Sequence, residues 1–346
     1  MEIGIDSFAA VMPDVATGRI LSPVQRMANL LEEVQAADRV GLDVFGVGEH
    51  HRPEFLDAAP AVILSAMAAR TASIRLTSAV TVLSAADPVR VFQDFATVDL
   101  ISGGRAELVV GRGSFGEAYP LYGMRSADYD DLFVEKLGLL LKLRDETHVR
   151  WSGRFRPALT GQGVFPRPVQ AKLPVWVGVG GTPRSFARAG ALGLPLMVAI
   201  IGGEFHRFRP LIDLYREAGR QAGHAPETLS VGVHAIGFVA DTVQAAADAF
   251  FPGWSYMFTE IGRERGWAPT TRAQFDAMCG LTGAFLIGDP DTVARKAAYV
   301  HEVLGGVARL TFQMSSAVLE HAAMIRSIEL LGRKVAPSVR AALGAS

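Results

Sequence analysis

The sequence predicts a closed (β/α)8 barrel on three observations. Short apolar strands alternate with amphipathic helices, eight strand-like runs can be counted, and 346 residues at 49% hydrophobic content can bury one large core. A single domain over residues 1–346 follows, with an open doubly wound sheet as the lesser alternative.

The first strand is read at Ile3 to Ile5. Ser22-Pro23-Val24-Gln25 then reads as a capping box, and Val24, Met27, Leu30, Leu31, Val34 and Ala37 recur at helical spacing until Gly41. Strand two is Val44 to Val47, strand three Leu76 to Leu83. Asp87-Pro88 opens a helix running to Gly103-Gly104, and strand four is Ala106 to Val110. A helix carrying Leu132, Phe133, Leu137 and Leu140 follows. The alternation resumes with Pro174 to Val177, a helix from Thr182-Pro183, strand Leu194 to Ile200, a helix through Phe208, Ile212 and Tyr215, and strand Leu229 to Val239. The last strand, Val307 to Phe312, precedes a helix through Leu319, Ala322, Ile325 and Leu331.

Two insertions break the rhythm. Residues 145–172 hold Trp151-Ser152-Gly153-Arg154, which suggests a small hairpin. Residues 253–284 show little periodicity, apart from a strand-like Ala284 to Ile287 before the cap Asp289-Pro290. Irregular segments of this length inside a compact domain are usually functional lids or disordered.

A net charge of −1, from 34 Lys plus Arg against 35 Asp plus Glu, leaves no basic stripe for nucleic acid or an anionic membrane, so a small-molecule partner is expected. The single Cys279 precludes an internal disulfide. With no leader-like segment before Ile3, a cytoplasmic setting is expected. No apolar run approaches the ~20 residues of a membrane span.

The chemistry concentrates at strand ends. Glu49-His50-His51 follows strand two, placing a carboxylate and two imidazoles where parallel α/β proteins carry catalytic groups. Gly111-Arg112-Gly113-Ser114-Phe115-Gly116 matches GxGxxG, but Glu117 to Gly123 does not open a helix directly, which disfavours a dinucleotide site. A glycine-flanked Arg112 fits an anion better, with a tight turn and surface arginine as the plainer reading. Gly178 to Ser185 leads into a helix capped by Thr182, whose free amides can cradle a phosphate. No GxSxG elbow is present, the lysines lie away from strand ends, and no metal-ligating set is apparent. His234 lies mid-strand, either facing the barrel mouth or held as a core histidine.

These residues resemble the bacterial luciferase-like, flavin-dependent monooxygenase family over nearly the whole chain. The resemblance rests on Glu49-His50-His51, Thr77 to Leu83 with Asp87-Pro88-Val89-Arg90, Ile101 to Arg105 leading to Val109-Val110-Gly111-Arg112-Gly113, and Pro174 to Val177 with its glycine turn. It implies a (β/α)8 barrel with reduced flavin mononucleotide (FMN) at its mouth and His50 as the catalytic histidine. Arg112, Gly113, Gly180, Gly181 and Thr182 would meet the phosphate. Ala79 and Val80 would lie beneath the ring at a peptide bond that is cis in several members. The expected activity is oxygenation of a small organic substrate by O2 and reduced FMN from a separate flavin reductase. Coenzyme F420-dependent hydride transfer and a non-catalytic flavin-binding protein are the alternatives. A homo-oligomer is compatible with all three. The glycine pair differs from the acidic and serine residues of luciferase itself, so light emission is not implied.

Overall fold

The computed structural model describes residues 1–315 and 319–344. Its strands, in chain order, are β1 (Glu2–Ser7), β2 (Val44–Val47), β3 (Arg75–Ser78), β4 (Thr81–Val82), β5 (Ala106–Gly111), β6 (His148–Trp151), β7 (Leu159–Gly163), β8 (Val175–Val179), β9 (Leu196–Ala199), β10 (Val231–Val239), β11 (Leu286–Gly288) and β12 (Arg309–Gln313). The α-helices are α1 (Pro23–Arg39), α2 (Pro60–Ala68), α3 (Pro88–Ser102), α4 (Ala118–Leu121), α5 (Tyr129–Asp145), α6 (Pro183–Ala191), α7 (Arg209–Gln221), α8 (Val243–Glu264), α9 (Arg272–Cys279), α10 (Pro290–Val303), α11 (His321–Leu330) and α12 (Ala336–Gly344).

Eight parallel strands close on themselves in the order β1-β2-β3-β5-β8-β9-β10-β12, with β12 returning to β1. They coincide with the eight expected runs. The main core lies between this cylinder and the outer helices, where Ile3, Ile5, Phe45, Leu76, Leu108 and Val233 are fully or almost fully buried. Side chains alternate along a strand, so the opposite set fills the barrel. That inner set combines a small apolar cluster, Val80, Val109, Trp176 and Met197, with buried polar groups from β1, β5, β10 and β12.

Local signals fix most boundaries. Asp87 accepts from the amides of Val89 and Arg90 at the start of α3, and Asp289 from Thr292 at the start of α10. Residues 148–163 form the expected antiparallel hairpin.

Four expectations need correction. Residues 253–284 are not an irregular insertion: α8 runs unbroken through Pro252 to Glu264, and α9 follows. Phe250 and Trp254 on its buried face pack against Phe238, Phe275 and Phe285, and that packing outweighs the ~3 kcal/mol a helix-interior proline costs. Ser22 caps the amide of Gln25, but the Gln25 side chain turns to Asn29, so the capping box is half formed. Strand three is divided into β3 and β4 at Ala79-Val80. A four-residue helix, α4, does form within 117–123, although it is too short to hold an anion at its N-terminus.

Candidate functional site

The loop after β2 carries Glu49, His50 and His51 to the end of the barrel where the strands finish. There His50 Nδ1 lies 2.8 Å from Asp57 Oδ2, and its backbone amide donates to Asp57 Oδ1 at 3.1 Å. Asp57 is fully buried. Burial pushes its carboxyl above the usual carboxylate range, while the adjacent imidazole pulls it back down. An ionised carboxylate only accepts, so the His50 proton sits on Nδ1 and Nε2 is left with no protein partner among the described residues. Gly48 is required by this pair, because a Cβ there would stand 2.6 Å from Asp57 Oδ2 and 2.5 Å from the Phe8 ring.

Aromatic rings surround His50. Phe55 and Phe8 lie 4.5 and 4.6 Å away between centroids, and Phe115 5.6 Å. Met12, Phe55 and Met257 form a buried apolar cluster above them, so α8 covers part of the mouth. The end of α8 is tied down by ions: Arg52 donates to both oxygens of Glu264 at 2.7 and 2.8 Å and to Glu117 at 2.6 Å. Arg265 lies over the Phe115 ring and donates to the Ser114 carbonyl.

His51 is held differently. Its Nε2 lies 3.2 Å from Glu49 Oε1, and the other Glu49 oxygen accepts from the Val82 amide at 2.9 Å. That hydrogen bond to Glu49 raises the imidazole's pKa. Glu49 thereby joins the His51 loop to the segment containing Ala79 and Val80, whose mutual peptide bond is cis. Val80 projects inward between two strands; a Cβ on Gly111 or on Gly178 would stand 2.7 Å from its methyl groups.

On the neighbouring sector, Arg112 at the end of β5 reaches the first turn of α6, donating to Ser185 Oγ at 3.0 Å and to Asp130 at 3.1 Å. Arg188 and Arg184 also face Asp130, at 2.9 and 3.6 Å. The Arg188 hydrogen bond, with Arg112 and Arg184, holds the Asp130 carboxyl below its ordinary range. Three guanidinium groups therefore meet one carboxylate beside the α6 N-terminus. Thr182 occupies the N-cap position as expected, but its side chain makes no capping bond. Gly180 and Gly181 border open space: a Cβ at either position would meet no atom within 4 Å among the described residues.

The structure thus brings His50, Ala79, Val80, Arg112 and Gly113 to one mouth, and Arg112 meets the helix that follows Gly180-Gly181-Thr182. Sequence reasoning missed Asp57, Asp6, Asp130 and Arg188. A carboxylate seven residues beyond His50, in an irregular loop, carries no periodic signal.

Residues 1–306 match the profile of the luciferase-like monooxygenase family. The chain belongs to that family. It is 27% identical to 4-hydroxyprotoasukamycin monooxygenase of Streptomyces nodosus subsp. asukaensis, with 96% of this chain and 94% of the relative aligned. Among solved structures, the fold is similar to monooxygenase RslO1 from Streptomyces bottropensis, with a TM-score of 0.83 at 22% identity over 97% of this chain and 99% of that one. It is similar to the oxygenating constituent of 3,6-diketocamphane monooxygenase from Pseudomonas putida in complex with FMN, with a TM-score of 0.78 at 22% identity over 98% of both chains. An F420-dependent secondary alcohol dehydrogenase shares the fold at a TM-score of 0.76 and 18% identity, over 98% of this chain and 99% of that one. No described helix is long and apolar enough to cross a membrane.

Proposed function

We propose that this luciferase-like enzyme is a monooxygenase that uses reduced FMN and O2 to oxygenate a small organic substrate. The observation that carries the reading is the His50–Asp57 pair, which leaves one imidazole nitrogen unengaged within an aromatic enclosure. The residues fit the cofactor at both ends. Three guanidinium groups against one carboxylate suit a phosphate. At the ring end, the Thr81 hydroxyl, next to Val80, is buried without a partner among the described residues.

Arg112, Gly113, Gly180, Gly181 and Thr182 would hold the phosphate, and Ala79 and Val80 would support the ring. The bound flavin supplies activation of O2. His50 Nε2 would accept a proton at the reacting oxygen and return it from the imidazolium so formed, and Asp57 keeps that nitrogen available by fixing the first proton on Nδ1. Phe55, Phe115 and α8 exclude water from the same space. The cleft beside His50 is lined by Glu49, His51, Val82, Gly113 and Phe115.

A separate flavin reductase would supply the reduced FMN. Hydride transfer with coenzyme F420 is the second reading, favoured by the shared fold of an F420-dependent alcohol dehydrogenase. A non-catalytic flavin-binding protein would have no use for an oriented imidazole. Fluorescence titration with FMN and with F420, followed by oxygen-electrode measurements with reduced FMN, tests the proposal. Tight FMN binding with substrate-dependent oxygen uptake is expected; binding of F420 alone would overturn it.

A further inference from the structure

The proposed function makes no use of His234, yet this residue repeats the arrangement at His50. It lies on the inner face of β10, with its Nδ1 2.6 Å from Asp6 Oδ2. Asp6 sits at the end of β1, buried, and the same Oδ2 accepts the Thr311 hydroxyl from β12. Its Oδ1 fills the space beside Gly46, where a Cβ would collide with it and stand 2.9 Å from Ala79 Cβ. The carboxylate is therefore level with the Ala79–Val80 segment.

With Asp6 accepting only, the His234 proton sits on Nδ1 and Nε2 presents a lone pair. That nitrogen has no partner among the described residues, and 10% of the side chain stays accessible. The Phe8 ring joins the two imidazoles: its centroid lies 4.6 Å from that of His50, and it stacks on His234 at 5.9 Å with an 18° interplanar angle. Two imidazoles, each aligned by a buried carboxylate, thus flank one aromatic ring at the mouth. With the side chain still partly accessible, Nε2 is turned toward the mouth instead of into the packed core.

We propose that His234 is a specificity-determining residue whose Nε2 accepts a hydrogen bond from a hydroxyl on an aromatic substrate, the substrate ring lying against Phe8. The inference rests on the monooxygenase reading and names its substrate class. An aligned acceptor discriminates by absence: a ligand lacking the hydroxyl leaves the nitrogen desolvated and unpaired. Asp6 is the positioning residue, because it decides which nitrogen carries the proton.

The test uses 2-naphthol and 2-methoxynaphthalene, which differ in their ability to donate. Binding to the full chain is followed by calorimetry and by the 15N resonance of the His234 imidazole. In the unmodified protein 2-naphthol should bind at least about tenfold more tightly than its ether and move the Nε2 resonance. His234→Phe should bring the two affinities within about twofold while leaving FMN affinity unchanged. Asp6→Asn can donate to Nδ1, which puts the proton on Nε2; the preference should then shift toward the ether, an outcome a purely structural role would not produce. Equal affinities in the unmodified protein, failure of 2-naphthol to bind, or an unmoved His234 resonance would overturn the proposal. FMN titration and oxygen uptake, measured separately, show whether the cofactor reading has failed as well.

Discussion

Where the barrel strands begin, Arg309 is 1% exposed and donates to Glu107 at 2.6 and 3.1 Å and to Glu2 at 2.7 Å, with its guanidinium 4.4 Å from the Trp176 ring centroid. Arg75 adds contacts to the same two carboxylates. Where the strands finish, the buried carboxylates Asp6 and Asp57 each hold one imidazole, and both imidazoles keep a nitrogen unengaged among the described residues. Two cations and two anions compensate each other at the first end. At the second, hydrogen-bonding capacity is left over, together with the unpartnered Thr81 hydroxyl. Both ends are buried and charged, so burial and charge do not distinguish a site from a scaffold. The kind of capacity left over does: the first end leaves Arg75 Nε, a donor 3.4 Å from Glu107 without a hydrogen bond among the described residues, whereas the second leaves imidazole nitrogens on the face where (β/α)8 barrels carry their chemistry.

The sharpest way to break the comparison is at the closed end. Arg309→Met leaves the buried Glu107 with the 3.4 Å contact to Arg75 in place of two short hydrogen bonds, and removing one partner of a buried ion pair costs about 3–5 kcal/mol. Urea unfolding should show that loss, and a variant that remains folded should retain FMN affinity. A stable variant with weakened FMN binding would instead join the two ends functionally.

At the open end, His50→Ala should lower turnover by roughly 10²-fold or more, the scale of a positioned acid or base, while FMN affinity changes only a few-fold. Stability should fall as well, because Asp57 stays buried and keeps the His50 backbone amide but loses the imidazole. Pre-steady-state kinetics under conditions where chemistry limits provide the measurement. Unchanged rates would remove His50 from the reaction.

Arg112→Ala tests the phosphate sector. Losing one charge-assisted contact costs about 1.5–3 kcal/mol, or roughly tenfold to hundredfold in dissociation constant. The loss should appear with FMN and not with riboflavin, which lacks the phosphate. Equal losses for both ligands would return Arg112 to the role of a surface arginine in a tight turn.

The two ends also differ in how far the sequence discloses them. The strands, the caps at Asp87 and Asp289, and the glycine turns around Arg112 are encoded within a few residues of each other, so periodicity and turn chemistry reveal them. His50 is legible because it terminates a strand. Its partner Asp57 is not, since nothing in an irregular loop marks which carboxylate folds back. Asp6 and His234 are 228 residues apart, and only closure of the barrel brings them together. The same limit explains α8: Pro252, Gly253 and clustered aromatics argue locally against a helix, and the stabilising contacts with Phe275 and Phe285 come from a later segment. The Arg309 network is equally non-local, since Glu2, Glu107 and Arg309 come from three distant strands.

The smallest expected effect concerns His51, whose coupling to Glu49 resembles a closed-end ion pair placed at the open end. Its pKa is raised in the folded protein, chiefly by the Glu49 hydrogen bond. A raised imidazole pKa contributes stability that is fully present below the unfolded value near 6.5 and is lost as pH rises through the folded value. The protein should therefore lose no more than about 1 kcal/mol from this pair between pH 6 and 8, the scale of a solvent-screened contact. Glu49→Gln should flatten that part of the profile and return the His51 resonance, followed by NMR, toward its ordinary titration. Turnover should fall less for His51→Asn than for His50→Ala. If His51→Asn proves the more damaging, the proton-handling role belongs to the imidazole paired with Glu49, and the His50–Asp57 pair becomes part of the scaffold.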